Sequence, residues 1–320
     1  MNKTFIVEEE IRLDKFLSKQ LDESRNQIEQ LIKKEFVKIN GKIVSKTGYK
    51  LKLEQEIDVT FPEVEKKEII DVDFDVEIIY EDEYILVINK PSNLVVHDAP
   101  SVKEATLVDW LKQKNISLST ISGEERHGIV HRLDKGTSGV MVVAKTNEAH
   151  VGLSKQLEDK SMGRIYLAIT DLPLKDNQII EGPIARNPNN RLKMGIVPNG
   201  KNAKSAFIKL ALSKNEKYEL ISAKLFTGRT HQIRVHLSSI NRHILGDDLY
   251  GFKGDLNKIN RVYLHAYNLY LFHPITNEKM DFLANIPSDI NDFLNKQFDM
   301  ESINEKIDKN HIINSFSSFC

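Results

Sequence analysis

The chain has 320 residues, 40% hydrophobic and 28% charged, which supports a sizeable core and argues against wholesale disorder. Its 45 basic and 46 acidic residues nearly cancel, so any polyanion partner has to show in local rather than total charge. The single cysteine, Cys320, excludes an intrachain disulfide framework and a cysteine-based zinc site.

The first residues, MNKTFIVEEEIRL, reach acidic side chains before any long apolar run, so no signal peptide is expected. No stretch approaches the roughly 20 apolar residues that cross a bilayer. A cytoplasmic protein with no membrane partner is the default expectation, and a monomer the default assembly. Residues 11–61 read as a small unit. Leu13, Phe16, Leu17 and Leu21 recur at helical spacing, and Ser24 with Gln27 reads as a capping box. A second short helix carries Ile28, Leu31 and Ile32 on one face, with Lys33 and Lys34 at its end, suited to the helix dipole. Val37 and Ile39 alternate with charged neighbours, Asn40-Gly41 predicts a type I′ turn, and Ile57, Val59 and Phe61 alternate again before Pro62. Arg25 to Lys52 holds eight basic residues against Glu29 and Glu35, whereas Glu63 to Glu83 holds ten acids against Lys66 and Lys67. This acidic run marks a boundary, placing a first domain with its linker at 11–75 and a second at 76–297.

In the second domain Ile85–Ile88 reads as a buried strand ending at Asn89-Lys90-Pro91. Gly128–Val130 and Val140–Ala144 read as strands flanking a polar loop. Thr146 is the expected N-cap of a helix from Asn147 to Lys160. Strands are expected at 164–170, 205–210, 218–225 and 261–271, and helices at 231–240 and 288–297. The elements do not alternate with βαβ regularity, so the fold class is α+β rather than doubly wound. The polar residues 298–320 read as a weakly ordered C-terminal tail. Two further runs, Arg186–Lys204 with five basic residues and Lys224–Arg242 with four, contain no acid. Three acid-poor runs point to a polyanion.

The loop His131-Arg132-Leu133-Asp134-Lys135-Gly136-Thr137-Ser138-Gly139 places a carboxylate between two cations. Nearby positive charge favours an ionised carboxylate, which suits a nucleophile or a base and not a general acid. On the residues alone, a turn held by surface ion pairs stays open. His127 and His131 are spaced like two metal ligands, but Gly128 and two β-branched residues between them disfavour the helix this requires, so no metal is expected.

The run Arg12-Leu13-Asp14-Lys15-Phe16-Leu17 resembles the opening of the S-four domain, a small RNA-binding module. The nine residues His131–Gly139 resemble the signature of the RluA-type RNA pseudouridine synthases. Further blocks agree in the family's order: Asn89-Lys90-Pro91 with Leu94–His97, Arg164-Ile165-Tyr166-Leu167-Ala168, Thr227–Leu237, Gly246-Asp247-Asp248-Leu249-Tyr250-Gly251, Leu264-His265-Ala266 and His273-Pro274. A module ahead of the catalytic domain is similar to the synthase D subgroup, which acts on large-subunit ribosomal RNA. Ser92-Asn93 stands where the family usually has Ala-Gly, and Asn tolerates the positive φ such a turn needs. No family counterpart is evident for the tail.

The resemblance implies a catalytic domain with a mixed, largely antiparallel central sheet flanked by helices and loops. It implies isomerisation of uridine to pseudouridine in RNA, from large-subunit ribosomal RNA or an assembling subunit, without a cofactor. Asp134 would be the essential carboxylate, acting by attack on the sugar, by attack on the base, or by taking a ribose proton. Arg234 would pair with it, Tyr166 would stack on the uracil and help move the carbon 5 proton, and Leu264 would wall the pocket. Arg132 would help extrude the nucleotide. Arg229 and, in the module, Arg25, Lys33, Lys34 and Lys38 would contact RNA. Two readings compete. A non-catalytic RNA-binding assembly factor on the same fold would not need Asp134, Tyr166 and Arg234 together. A methyltransferase bearing an S-four module would need a glycine-rich nucleotide-binding turn, and none is found.

Overall fold

Leu13, Phe16 and Leu17 fall on one face of helix α1 (Leu13–Leu21) and are buried, as their spacing predicts. The structure, a computed structural model, describes residues 2–21, 25–60, 72–98, 102–121, 127–254 and 259–319. Two compact units divide the chain, Met1–Ile69 and Ile70–Cys320. The first adds α2 (Arg25–Lys33) and strands β1 (Asn2–Ile6), β2 (Val37–Ile39), β3 (Lys42–Ile43) and β4 (Glu56–Thr60), in the sheet order β1-β4-β2-β3. Asn40 and Gly41 join β2 to β3 with φ of 49° and 76°, the two positive values a type I′ turn demands. Strand β1 precedes the residues where the sequence placed the unit and pairs with β4. The expected capping box involves Ser24 and the side chain of Gln27, which lie outside the described residues and side chains.

In the second unit one sheet runs β10-β9-β11-β12-β8-β13-β7-β6-β5, with β14 also on β13. Its strands are β5 (Glu77–Glu81), β6 (Ile85–Lys90), β7 (Ser138–Ala144), β8 (Gly163–Thr170), β9 (Gln178–Arg186), β10 (Met194–Ile196), β11 (Lys201–Leu212), β12 (Glu219–Leu225), β13 (Leu264–Phe272) and β14 (Lys279–Leu283). All pairs are antiparallel except β7 with β13. The α+β class and the mixed, largely antiparallel sheet expected from the sequence are thus present. Helices α3 (Leu107–Gln113), α4 (Asn147–Asp159), α5 (Gln232–Ser239) and α6 (Ser288–Gln297) accompany it. Thr146 caps α4, its side chain accepting from the Ala149 amide. The close approach of β7 to β13 needs Gly139, because a Cβ there would sit 2.2 Å from the Ala266 carbonyl oxygen.

Two expectations fail. Gly128–Val130 is not a strand: only an isolated bridge joins Ile129 to Val143. Gly128 turns the chain with φ of 69°, and the His131 ring, not a main-chain carbonyl, accepts the Val142 N–H at 3.2 Å. The tail is not weakly ordered either. Helices α7 (Met300–Lys306) and α8 (Lys309–Ser315) bury Ile303, Ile312 and Phe316 in the main core. The Ile307 carbonyl accepts from the Tyr267 hydroxyl at 3.1 Å. Few apolar residues are needed when each is fully covered. Deleting residues 299–320 is expected to lower the unfolding free energy by on the order of 5 kcal/mol, since each such side chain is worth about 1.5–3 kcal/mol. Chemical denaturation of the truncated chain measures this, and an unchanged midpoint would show the tail to be dispensable.

Candidate active site

The loop after His131 is pinned from two sides. Lys90, at the end of β6, is fully buried. Its ammonium donates to the carbonyls of Pro91 and Leu94 at 2.8 Å and of Lys135 at 3.4 Å. Asn93 adopts φ of 64°, so the turn survives the replacement of glycine. Ser92, its neighbour, donates its hydroxyl to the Gly136 carbonyl at 2.9 Å. Inside the loop the Thr137 amide donates to the Asp134 carbonyl at 3.0 Å. On the far side, Arg261 Nη2 donates to Ser138 Oγ at 2.9 Å, and Ser138 Oγ lies 2.9 Å from His265 Nδ1. The His265 Nε2–H donates to the Ala284 carbonyl, so the serine hydroxyl donates to Nδ1.

Helix α5 brings Arg234 to this loop. Gln232 fixes the preceding turn: its side-chain oxygen accepts from the Thr227 hydroxyl and the Arg229 amide, and its nitrogen donates to the Lys204 carbonyl and Ser205 Oγ. Arg234 Nη1 donates to Asp134 Oδ2 at 3.2 Å. Its Nε and Nη2 both donate to Asp247, at 2.7 and 2.8 Å, in the bidentate geometry guanidinium favours. The guanidinium carbon lies 4.8 Å from the centre of the Tyr250 ring. His231, with φ of 57°, directs Nδ1 to the Tyr250 hydroxyl at 2.8 Å and Nε2 to within 3.9 Å of Asp134.

Asp134, Arg234, Tyr166 and Leu264 line one cavity of about 450 Å³, together with Arg132 and Arg229. Tyr166 stands on β8 opposite Ala266 of β13, and Leu264 opposite Ala168, so the two strands place both side chains in register. Arg132 is exposed, with Nη1 3.1 Å from His97 Nε2. Arg229 donates through Nε to the Asn202 carbonyl at 3.0 Å. Lys33, Lys34 and Lys38 are exposed on the first unit, and Lys33 pairs with Glu29 at 3.1 Å. The side chain of Arg25 lies outside those described. No local pattern marks the roles of Lys90, Ser92, Asp247 or Tyr250, although they stand in or beside the family-like blocks. His231 also faces Asp134.

Burial favours neutral forms here. It raises the Tyr166 phenol, with Arg164 opposing, and pushes Tyr250 up to about 12. Burial lowers His231 against the opposing pull of Asp134. Arg234 goes the other way: Asp247 and Asp134 together outweigh its burial and hold it cationic. Burial pushes Lys90 down to about 7 from its ordinary 10.5, Asp134 resisting. Between those values the unfolded chain binds a proton that the folded protein lacks. Stability therefore rises with pH across that window, and the gain is lost as pH falls through the lower value. Lys90→Met cannot titrate and is expected to lack this rise. Urea titrations of both proteins across the window measure it, and parallel pH profiles would refute it.

The comparisons agree with this architecture. A family model described as RNA pseudouridylate synthase matches residues 84–239, and one described as S4 domain matches residues 11–57. An "Uncharacterized RNA pseudouridine synthase" of Helicobacter pylori is 48% identical over 325 aligned positions, covering 99% of each chain. That coverage takes in the tail, for which the sequence alone suggested no counterpart. The ribosomal large subunit pseudouridine synthase D of Zymomonas mobilis is 38% identical, covering 87% of this chain and 91% of its own. Human RNA pseudouridylate synthase domain containing 4 superposes with a TM-score of 0.53 at 25% identity, covering 69% and 92%. The chain belongs to the RNA pseudouridine synthase family, with an S4 domain ahead of the synthase domain, and is an RNA-modifying isomerase. No helix among the described residues is long and apolar enough to cross a membrane.

Proposed function

We propose that this enzyme converts specific uridines of large-subunit ribosomal RNA, naked or assembling, to pseudouridine, with Asp134 as the essential carboxylate and no cofactor. The observation that carries the site assignment is the 3.2 Å contact of Arg234 Nη1 with Asp134 Oδ2 in a cavity lined by Tyr166 and Leu264. The reaction breaks the bond from ribose carbon 1′ to nitrogen 1, forms one to carbon 5, and moves the carbon 5 proton so that nitrogen 1 ends protonated. Nothing is oxidised and no group is imported, so side chains suffice.

Asp134 supplies the negative charge that acts on the nucleoside, and Arg234 orients it. Tyr166, a neutral phenol, stacks on the uracil and relays the carbon 5 proton through its hydroxyl. Leu264 covers the other side. Arg132, at the exposed rim, helps hold the nucleotide out of its stack. Arg229 and the basic face of the S4 domain (Arg25, Lys33, Lys34, Lys38) grip phosphates. The ribosomal target is supported by the name of the Zymomonas relative. Large-subunit ribosomal RNA transcribed without modifications, incubated with the enzyme and mapped by carbodiimide, should show conversion at one or a few positions. Conversion confined to transfer RNA would overturn the ribosomal assignment.

A further inference from the structure

Arg164 lines the same cavity as Tyr166, two residues away on β8 and hence on the same face, roughly 7 Å along the strand. Among the described residues it is the cavity arginine with neither a hydrogen bond nor an ion pair. Its Nε is buried with no hydrogen-bond partner, and no ion pair among the described residues includes it. The other cavity arginines are engaged: Arg234 with two carboxylates, Arg229 with the Asn202 carbonyl, Arg132 with His97. Gly228 lies against the guanidinium, and a Cβ there would come within 3.0 Å of Nη1 and 3.2 Å of Nη2. The loop thus leaves room for the fork at the cavity wall.

His131 strengthens the case. It is 8% exposed and lines the cavity. Its Nε2 accepts the Val142 N–H, so the neutral ring carries its proton on Nδ1, and that donor too is buried without a partner among the described residues. Burial pushes this ring down to about 3, with the charge of Arg164 adding to the effect, so it stays neutral. A buried donor left unpaired is costly. Both side chains line a cavity that four arginines border, and such a cavity suits an anionic ligand.

We propose that Arg164 is a substrate-binding residue that holds a backbone phosphate of the everted nucleotide whose uracil lies between Tyr166 and Leu264. This rests on the reading of the cavity as the uridine site. Guanidinium matches a phosphate with two parallel hydrogen bonds. The anion supplies the missing counter-charge, and the strand spacing fits the separation of a base from its own backbone.

The test uses the full chain and an RNA hairpin containing a uridine that the parent converts, with a neutral methylphosphonate placed singly at the linkage 5′ or 3′ of it. Arg164→Met should raise KM about 10- to 100-fold, as expected for loss of a charge-assisted contact, with kcat within a few-fold. One of the two methylphosphonates should cost the parent a similar factor and cost Arg164→Met nothing further. Arg164→Lys, which keeps the charge, should recover part of the loss and covers the case in which the methionine variant folds poorly. Penalties that multiply at both linkages would overturn the proposal, as would a loss in kcat alone, which would assign Arg164 to the uracil ring instead. Binding to an unmodified large-subunit RNA fragment across KCl concentrations needs no turnover. There the slope of log affinity against log salt should fall by about 0.7–0.9 for one lost contact. A lowered slope with no conversion by the parent would refute the proposed activity and keep this contact, whereas an unchanged slope would refute the contact.

Discussion

Asp134→Asn is expected to abolish pseudouridine formation, with a loss of at least about 10⁴-fold in kcat, the scale seen when an essential reacting group is removed. The amide keeps the shape of the side chain and removes its charge. The fold should survive, because little of the local structure hangs on that charge. Asp134 holds Arg234 through one contact of 3.2 Å, while Asp247 holds it through two shorter ones. The loop itself is fixed by main-chain groups: the Thr137 amide on the Asp134 carbonyl, Lys90 on Lys135, Ser92 on Gly136. RNA binding should hold or tighten, since one negative charge leaves a cavity bordered by Arg132, Arg164, Arg229 and Arg234. Carbodiimide mapping, thermal unfolding and RNA titration read the three parts separately. Conversion by the variant at the parent's rate would remove Asp134 from the mechanism, and loss of conversion together with loss of folding would reassign it to structure.

Much of this site was legible because local sequence and tertiary placement agree. The run Val140–Ala144 is apolar at every position, so it reads as a strand in isolation, and it lies in the buried strand Ser138–Ala144 of the sheet. The helix of residues 288–297 and the helix capped by Thr146 follow from periodicity and a cap. What stayed hidden depends on contacts distant in sequence or on a residue acting against its type. Lysine is a surface residue by habit, and nothing local says that Lys90 is buried under three carbonyls. Gly128–Val130 has β-branched composition, but a ring nitrogen of His131 occupies the ladder position a strand would fill. The tail is polar on average, and its four core side chains, Phe298, Ile303, Ile312 and Phe316, are too sparse to register in a composition reading.

Asp247 is the other position where one atom should matter most. It is fully buried, does not line the cavity, and binds the two nitrogens of Arg234 that face away from Asp134. It also accepts the Tyr250 amide at 3.2 Å, holding the ring on which the guanidinium lies. In Asp247→Asn a buried guanidinium faces an amide that can offer it one acceptor at most. Breaking a buried pair from one side costs about 3–5 kcal/mol, so the denaturation midpoint should fall sharply. In the fraction that folds, Arg234 loses its brace and the Asp134 carboxylate loses its orientation. kcat should fall roughly 10- to 100-fold, the range a small misplacement of a reacting group produces, while KM for RNA should barely move. A folded variant with the parent's kcat would show that Arg234 needs no second carboxylate. The sign of the stability change can be isolated by adding Arg234→Met to Asp247→Asn. Removing both partners of a buried pair is far less costly than removing one, so the double variant should regain most of the lost stability while remaining inactive. Further destabilisation on adding the second substitution would mean that Asp247 acts through Tyr250 and not through the guanidinium.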